Sequence, residues 1–280
     1  MTEFSELQIT FFDYLTDIGY SESTIKTYCY QVKRFLNFIK IDLANITGNE
    51  IRKYFVQMVK DDKLSVSAQN NAINALKIFL IDFLGLMIED HFFSRPKKQK
   101  KIPEVLNEQE TYLILKQINN LKARCMIYLI YSSGLKLTEV IHLKPEHIEF
   151  DKARIYITCP RNNCDRYVIL SKKVELLLKK YLSIYHPKIC LFESMTGYQY
   201  SKRKLQKIFQ TAVQKSGINK RATLTILRNS FVVHMLEKGI DIRYLQRILG
   251  HRNSKSTMKY VRSSRIDIKS IKSPLDNMDL

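Results

Sequence analysis

The chain has 280 residues, of which 45% are hydrophobic and 11% aromatic. This apolar content can bury enough surface for one large domain or two ordinary ones, and it excludes a mostly disordered protein. Basic residues outnumber acidic ones by 46 to 27, for a formal net charge of +19. Residues 95–280 carry 37 basic and 15 acidic side chains, whereas residues 1–94 carry 9 and 12. The balance favours a polyanionic partner, although a solvated lysine-rich surface has the same composition.

Residues 1–94 are predicted to form a small helical bundle. An opening helix covers residues 4–15, and after Ser21 apolar residues recur every three or four positions, as on one face of a second helix. Thr47 and Glu50 have the spacing of a capping box and predict a third helix over residues 51–59. Ser65 is predicted to cap a fourth helix, whose apolar face extends over residues 72–83.

Residues 95–106 combine two prolines with five basic residues, which predicts a basic interdomain linker. A second domain over residues 107–280 then begins with Asn107 as N-cap and Glu110 three residues later. Two β-rich runs in it, residues 154–158 and 166–170, flank a turn-like stretch and predict a hairpin. Further helices are predicted over residues 121–131, 137–143, 172–183, 202–215, 227–237 and 242–249. The expected fold class is mainly α with a small β-hairpin or sheet.

The sequence also carries signals about the compartment. Its five cysteines are scattered without a CxxC pair, which favours free thiols in a reducing compartment. The acidic N-terminal stretch lacks the features of a signal peptide, and no apolar run reaches the roughly 18 residues of a membrane span. We therefore expect a cytoplasmic protein with no membrane association.

Residues 225–251 pair two predicted helices around a glycine-containing turn. Taken alone, this pattern is typical of a helix-turn-helix, whose basic residues would face DNA. Helical hairpins that bind nothing are also common. A transcription factor of this kind is therefore one alternative.

Three stretches together carry a more specific signal. These are YSSGLKLTEV at residues 131–140, LRNSFVVHMLEKGIDIRYLQRILGH at residues 227–251, and SKSTMKYVR at residues 254–262. In this order and at these separations they resemble the conserved boxes of the tyrosine recombinase (phage integrase) family, and of its Xer-type members in particular. The resemblance implies a helical, SAM-like DNA-binding domain over residues 1–94, the linker, and an α+β catalytic domain over residues 107–280 with a C-terminal tail.

The resemblance also implies six active-site positions, three of which keep the family's residue. The matching residues are the nucleophile Tyr260, the second arginine Arg228 and the histidine His251. The substituted positions are Lys136 in place of the first arginine, Arg161 in place of the hairpin lysine, and Thr225 in place of the first histidine of the HxLR motif.

The chemistry that the resemblance implies shows why these substitutions matter. A 3′-phosphotyrosine conserves the energy of the phosphodiester bond, so no ATP, metal or other cofactor is expected. Preorganised cations stabilise the negatively charged transition state, and Lys136 supplies a point charge where arginine would make two contacts. Arg161 releases a proton far less readily than lysine. The proton for the leaving oxygen would then come from water or from a nearby lysine such as Lys152. Thr225 is not a base near neutral pH.

The resemblance therefore predicts a site-specific DNA recombinase that cleaves and rejoins duplex DNA through Tyr260, within a homo- or hetero-tetramer assembled on DNA. The apolar residues of the tail, Ile266, Ile268, Ile271 and Leu275, are predicted to dock onto a neighbouring protomer; folding back onto their own subunit is the alternative. Because half of the catalytic positions are substituted, a second hypothesis stays open. It is a weakened or inactive recombinase-derived DNA-binding or regulatory protein.

Overall fold

A computed structural model of the chain describes residues 2–39, 43–62, 64–96, 102–159 and 165–264. The chain divides into two compact units, Met1–Lys100 and Lys101–Leu280. The predicted hairpin residue Arg161 and the apolar tail beyond residue 264 lie outside the described residues. Within the described ranges, every helix is too short or too polar to cross a bilayer.

The described part of the N-terminal unit contains four helices around an apolar core. They are α1 (Thr2–Asp17), α2 (Glu22–Phe38), α3 (Gly48–Asp62) and α4 (Val66–Lys77), and α4 continues as a wider π-type turn over Ile78–Phe83. The Oγ atoms of Ser21 and Ser65 each accept a 3.3 Å hydrogen bond from the backbone N–H three residues further on. The rings of Phe11, Phe35 and Phe79 are fully buried. Side-chain caps therefore start two of the helices, and aromatic packing holds them together.

The described part of the C-terminal unit combines eight helices with a three-stranded antiparallel sheet of order β1-β2-β3. In chain order the elements are α5 (Glu108–Lys116), α6 (Leu121–Ser133), α7 (Leu137–Ile141), β1 (Ile148–Glu149), β2 (Arg154–Ile157), β3 (Arg166–Ile169), α8 (Lys172–Tyr185), α9 (Lys202–Lys215), α10 (Leu224–Glu237), α11 (Ile242–Leu249) and α12 (Lys255–Met258). Helix α6 is central, and α8 and α10 pack against it.

The fold class expected from the sequence is confirmed, with two differences of detail. The sheet contains one strand more than the predicted hairpin, because β1 pairs with the outer side of β2. Helix α10 begins at Leu224, three residues before the predicted start, because the hydroxyl of Thr223 accepts the backbone N–H of Ile226 at 3.2 Å. The earlier start places Thr225 in the first turn of α10.

A buried histidine fixes the segment before α5 against α10. Nε2 of His234 lies 2.9 Å from the carbonyl oxygen of Leu106, and Nδ1 lies 3.0 Å from the hydroxyl of Tyr131. Since a carbonyl only accepts, Nε2 carries the proton and Nδ1 accepts from the tyrosine. The Ser230 hydroxyl accepts the backbone N–H of Leu106 at 2.8 Å. His234 is therefore a packing residue whose hydrogen bonds are satisfied.

Candidate active site

A cleft of about 210 Å³ lies between the start of α7, helix α9 and the start of α10. Its polar lining consists of Lys136, Gln206, Gln210, Thr223, Thr225 and Arg228. Three of these, Lys136, Thr225 and Arg228, are site residues predicted from the sequence, and the fold brings them to one place. The two glutamines of α9 are additions that the sequence patterns did not mark.

Lys136 is positioned by a turn that requires glycine. Gly134 ends α6 in the left-handed conformation with φ +64°, and a Cβ there would lie 2.6 Å from the ring of Phe231. Lys136 follows as the N-cap of α7, and its backbone N–H donates to Oε2 of Glu139 at 2.7 Å. Its ammonium lies 3.6 Å from Oε1 of the same carboxylate, and its side chain is 42% exposed. The main chain of Lys136 is thus fixed while its ammonium stays open to the cleft.

Arg228 brings a partly buried guanidinium to the cleft from α10. Its Nη2 donates to the carbonyl oxygen of Leu249 at 3.2 Å, and its Nε has no hydrogen-bond partner among the described residues. Burial lowers the pKa of Arg228, which the negative charge of Glu139 partly opposes. A guanidinium nevertheless remains protonated at neutral pH. Arg228 therefore offers a fixed cation with an unused donor.

His251 follows the αL residue Gly250, which ends α11 with φ +64°. Its Nδ1 lies 2.9 Å from the hydroxyl oxygen of Thr257. Burial, followed by the positive charges of Arg228 and Lys136, lowers the pKa of His251 to about 4. The imidazole is therefore neutral at pH 7. With the Thr257 hydroxyl donating to Nδ1, the ring N–H is on Nε2 and can donate a hydrogen bond.

Tyr260 lies just beyond α12 with its ring only 3% exposed. Its hydroxyl donates to Oδ1 of Asn229 at 3.0 Å, and the ammonium of Lys259 lies 4.8 Å from the ring centroid. Burial raises the pKa of the phenol, and the nearby Arg228 guanidinium opposes this rise. Asn229 directly follows Arg228 on α10. The hydrogen bond to Asn229 therefore places the phenol near the Arg228 guanidinium.

Comparison with known proteins identifies the family. Residues 99–265 match the family model described as "Phage integrase family". Residues 8–90 match the model described as "Phage integrase, N-terminal SAM-like domain". The chain belongs to the phage integrase family. The chain is 27% identical over 263 residues to a tyrosine recombinase of Thermosipho africanus, covering 90% of this chain and 93% of that protein. It is 29% identical over 262 residues to the tyrosine recombinase XerA of Pyrococcus horikoshii, covering 92% and 89%. The Xer-like resemblance is confirmed.

Solved structures support the same fold. The crystal structure of XerA recombinase is similar with a TM-score of 0.53 at 25% identity, over 91% of this chain and 92% of that chain. A lambda integrase tetramer bound to a Holliday junction is similar with a TM-score of 0.75 at 15% identity, over 97% and 79%. At that identity the second likeness concerns the fold alone.

A buried ion pair supports the site, and the sequence patterns did not mark it. Nη2 of Arg166, on β3, donates to Oε2 of Glu139 at 3.0 Å, and the two side chains are only 7% and 8% exposed. Nε of Arg166 donates to the carbonyl oxygen of Ile248 at 2.6 Å. Burial alone would raise the pKa of Glu139, but the Arg166 guanidinium holds it below its ordinary value. Arg166 thus ties the turn that bears Lys136 to the end of α11, just before His251.

The described residues bring five of the six predicted positions together in the C-terminal unit. Lys136, Thr225 and Arg228 share the cleft, and Arg228 is close enough to His251 and Tyr260 to shift the pKa of both. Across the described ranges, no group of three or more His, Cys, Asp or Glu side chains is placed to hold a metal ion. The groups present are cations, hydrogen-bond donors and a buried phenol, which suit a phosphodiester and covalent catalysis.

Proposed function

We propose that this protein is a site-specific DNA recombinase that cleaves and rejoins DNA through a covalent phosphotyrosine. The phenolic oxygen of Tyr260 attacks the scissile phosphorus and loses its proton. The bond from phosphorus to the 5′ oxygen breaks, and that oxygen leaves with a proton as a free hydroxyl. The 3′-phosphotyrosine is then attacked by the 5′ hydroxyl of another strand, which releases the tyrosine and restores a phosphodiester.

The observation that supports this proposal most is the clustering of the phenol with three cationic or donor groups. Arg228 lies one residue from Asn229, which accepts the hydrogen bond of Tyr260. The Arg228 guanidinium and the Lys136 ammonium reach the same cleft, and both depress the pKa of His251. A phosphate bound there would face fixed positive charge beside the nucleophile, which is the arrangement that stabilises a phosphoryl-transfer transition state.

We also propose duplex DNA as the partner and a tetramer as the active assembly. The positive charge of residues 95–280 suits the phosphate backbone. The lambda integrase of similar fold was crystallised as a tetramer bound to a Holliday junction, which supports an analogous assembly for this chain. We also propose a cytoplasmic location, since the proposed substrate of this member of the phage integrase family is DNA.

A nicked-duplex trapping experiment tests the proposed function. A pool of duplexes with random sequence and a nick near the centre loses a short strand end on cleavage, so the covalent adduct accumulates. We expect the full chain to form an adduct that survives denaturant, Tyr260→Phe to form none, and Tyr198→Phe, which changes an exposed tyrosine, to behave as wild type. Tryptic mapping should place the nucleotide on Tyr260. An adduct on another residue, or one that persists in Tyr260→Phe, contradicts the proposal.

The second candidate function is a recombinase-derived protein that binds DNA without cleaving it. The observation that favours it is the cleft itself, where a threonine and a lysine occupy two positions at which the family resemblance implies histidine and arginine. Loss of one preorganised donor typically costs about 100- to 1000-fold in rate. Sequence-selective binding with no adduct on any nicked duplex would support this candidate.

A further inference from the structure

We propose that Lys136 is the general acid that protonates the leaving 5′ oxygen. This inference rests on the proposed function and assigns one chemical step to one group of the same site. When the Tyr260 oxygen bonds to phosphorus, the bond to the 5′ oxygen breaks with its electron pair on that oxygen. The proton on Nζ of Lys136 moves to this oxygen, leaving a neutral amine and a free 5′ hydroxyl, and the amine regains a proton from water.

The chemistry of the cleft lining selects Lys136. Among the described polar residues that line the cleft, Arg228 is a guanidinium that is effectively always protonated. The amides of Gln206 and Gln210 and the hydroxyls of Thr223 and Thr225 are not acids near neutral pH. The lysine ammonium is the one side-chain type in this set that can give up a proton to a strongly basic leaving oxygen. The cleft therefore contains one described group with the required acidity.

The position of Lys136 suits proton transfer to a bound substrate. Its backbone is fixed by the 2.7 Å hydrogen bond to Glu139, so the side chain starts from a defined point. Oε2 of Glu139 also accepts a hydrogen bond from Arg166. Oε1 lies 3.6 Å from the Lys136 ammonium and has no hydrogen-bond partner among the described residues. The carboxylate therefore holds the ammonium at ion-pair distance without a short hydrogen bond. The donor protons of Lys136 stay available to the cleft.

Other lysines near the site are placed less suitably. The Lys259 ammonium lies over the ring of Tyr260, on the side of the nucleophile, whereas an in-line displacement puts the leaving oxygen on the opposite side of phosphorus. Lys152, which the sequence offered as a donor, is paired with Glu149 at 3.1 Å and is not among the residues that line the cleft. Neither Lys259 nor Lys152 lines the cleft, whereas Lys136 lines it and keeps its donor protons available.

His251 is also unsuited to the role. Burial and the neighbouring cations lower its pKa to about 4, so at pH 7 it does not carry the extra proton that a cationic acid needs. As a neutral imidazole it can still donate a hydrogen bond to a phosphate oxygen. The site thus separates charge stabilisation, by Arg228 and His251, from proton donation by Lys136.

A sulfur-substituted substrate tests the assignment, because a thiolate leaves without prior protonation (thiol pKa about 8.5). Two nicked duplexes are compared, one with the natural 5′ oxygen at the scissile bond and one with 5′ sulfur. We expect Lys136→Met to slow adduct formation about 100-fold or more on the oxygen duplex. On the sulfur duplex it should stay within roughly tenfold of wild type, because the step that needs the acid is removed. Lys136→Arg should show the same pattern, since a guanidinium retains charge but is a poor acid.

The controls separate this inference from the proposed function. Lys152→Met should match wild type on both duplexes, and activity of each Lys136 variant on the sulfur duplex shows that the site is folded. Equal slowing of Lys136→Met on both duplexes, or a wild-type rate of Lys136→Arg on the oxygen duplex, would assign Lys136 to charge stabilisation and overturn the inference. If wild type forms no adduct on either duplex, the proposed function fails and the inference fails with it.

Discussion

The buried pair between Arg166 and Glu139 gives the most direct test of how the site is held together. Replacing Arg166 with methionine keeps much of the side-chain volume but removes the cation and its hydrogen bonds to Glu139 and Ile248. The Glu139 carboxylate, only 8% exposed, then keeps the backbone N–H of Lys136 and the ammonium at 3.6 Å as partners. A buried charge that loses its partner is strongly destabilising.

The expected cost can be stated from the burial of the pair. Because both side chains are less than a tenth exposed, Arg166→Met should reduce the free energy of unfolding by about 3 to 5 kcal/mol. For a protein of this size, each kcal/mol of lost stability lowers the midpoint temperature of thermal unfolding by about 2 to 4 °C. The expected decrease in that temperature is therefore about 6 to 20 °C. In wild type the pKa of Glu139 lies below its ordinary value, so its stabilising contribution is complete above about pH 4.5 and is lost as the pH falls. In Arg166→Met the main group that lowers the pKa of Glu139 is gone, and burial then raises that pKa against only the Lys136 backbone N–H and the Arg228 guanidinium. The difference in stability between the two proteins should therefore narrow in acid.

Calorimetry of the full chain measures the effect. Lys179→Met is the matched control, because it breaks an ion pair with Glu175 whose lysine is 56% exposed, and it should change stability by less than about 0.5 kcal/mol. Adding Glu139→Gln to Arg166→Met removes the unpaired charge and should recover part of the loss. If Arg166→Met is no less stable than the control, or if the double variant is no better than the single one, the pair does not hold the site.

Three further predictions concern the residues around the nucleophile. Gly250→Ala forces an alanine to φ +64° and puts a Cβ 3.0 Å from Nη1 of Arg166. Thermal unfolding should show a loss of stability about 1 to 3 kcal/mol larger than for the control Gly197→Ala, whose Cβ meets nothing within 4 Å. Asn229→Ala removes a hydrogen bond that Tyr260 can donate only while its phenol is protonated. Without it, adduct formation at saturating DNA should accelerate about 2- to 10-fold in rapid-quench kinetics. A slower rate would mean that Asn229 instead holds the phenol in position for attack. The pKa of His251, lowered to about 4, should appear in an NMR titration assigned with His251→Asn. Since the unfolded chain takes up this proton at a higher pH, wild-type stability should fall from about pH 6.5 to about pH 4, and more steeply than that of the variant.

Local signals in the sequence predict much of the fold because they act within a few residues. Ser65 and Asn107 are capping residues in the sequence and in the structure, since a cap depends on the side chain and the next turn. Strand β1 is only two residues long, and its existence depends on pairing with Arg154 and Ile155. A pairing of that kind leaves no periodic pattern that could be read from two residues.

The candidate site divides in the same way. The family boxes bring Lys136 and Arg228 into consideration, but the tie through Arg166 joins residues 27 and 82 positions apart, and the sequence patterns carry no sign of it. One local signal was available, because Glu139 lies three residues after Lys136, at the spacing of a capping box. The hydrogen bond from Tyr260 to Asn229 spans 31 positions and became visible only with the tertiary structure.

The enclosure of the Tyr260 ring affects the fate of a broken strand. The ring packs in an apolar cluster with Phe231, Leu245 and Leu249 and is almost inaccessible to solvent. An ester formed on its oxygen would have bulk water on few sides, so hydrolysis would compete poorly with attack by a DNA hydroxyl aligned in the cleft. A protein built in this way would keep a severed DNA end in a form that can be rejoined.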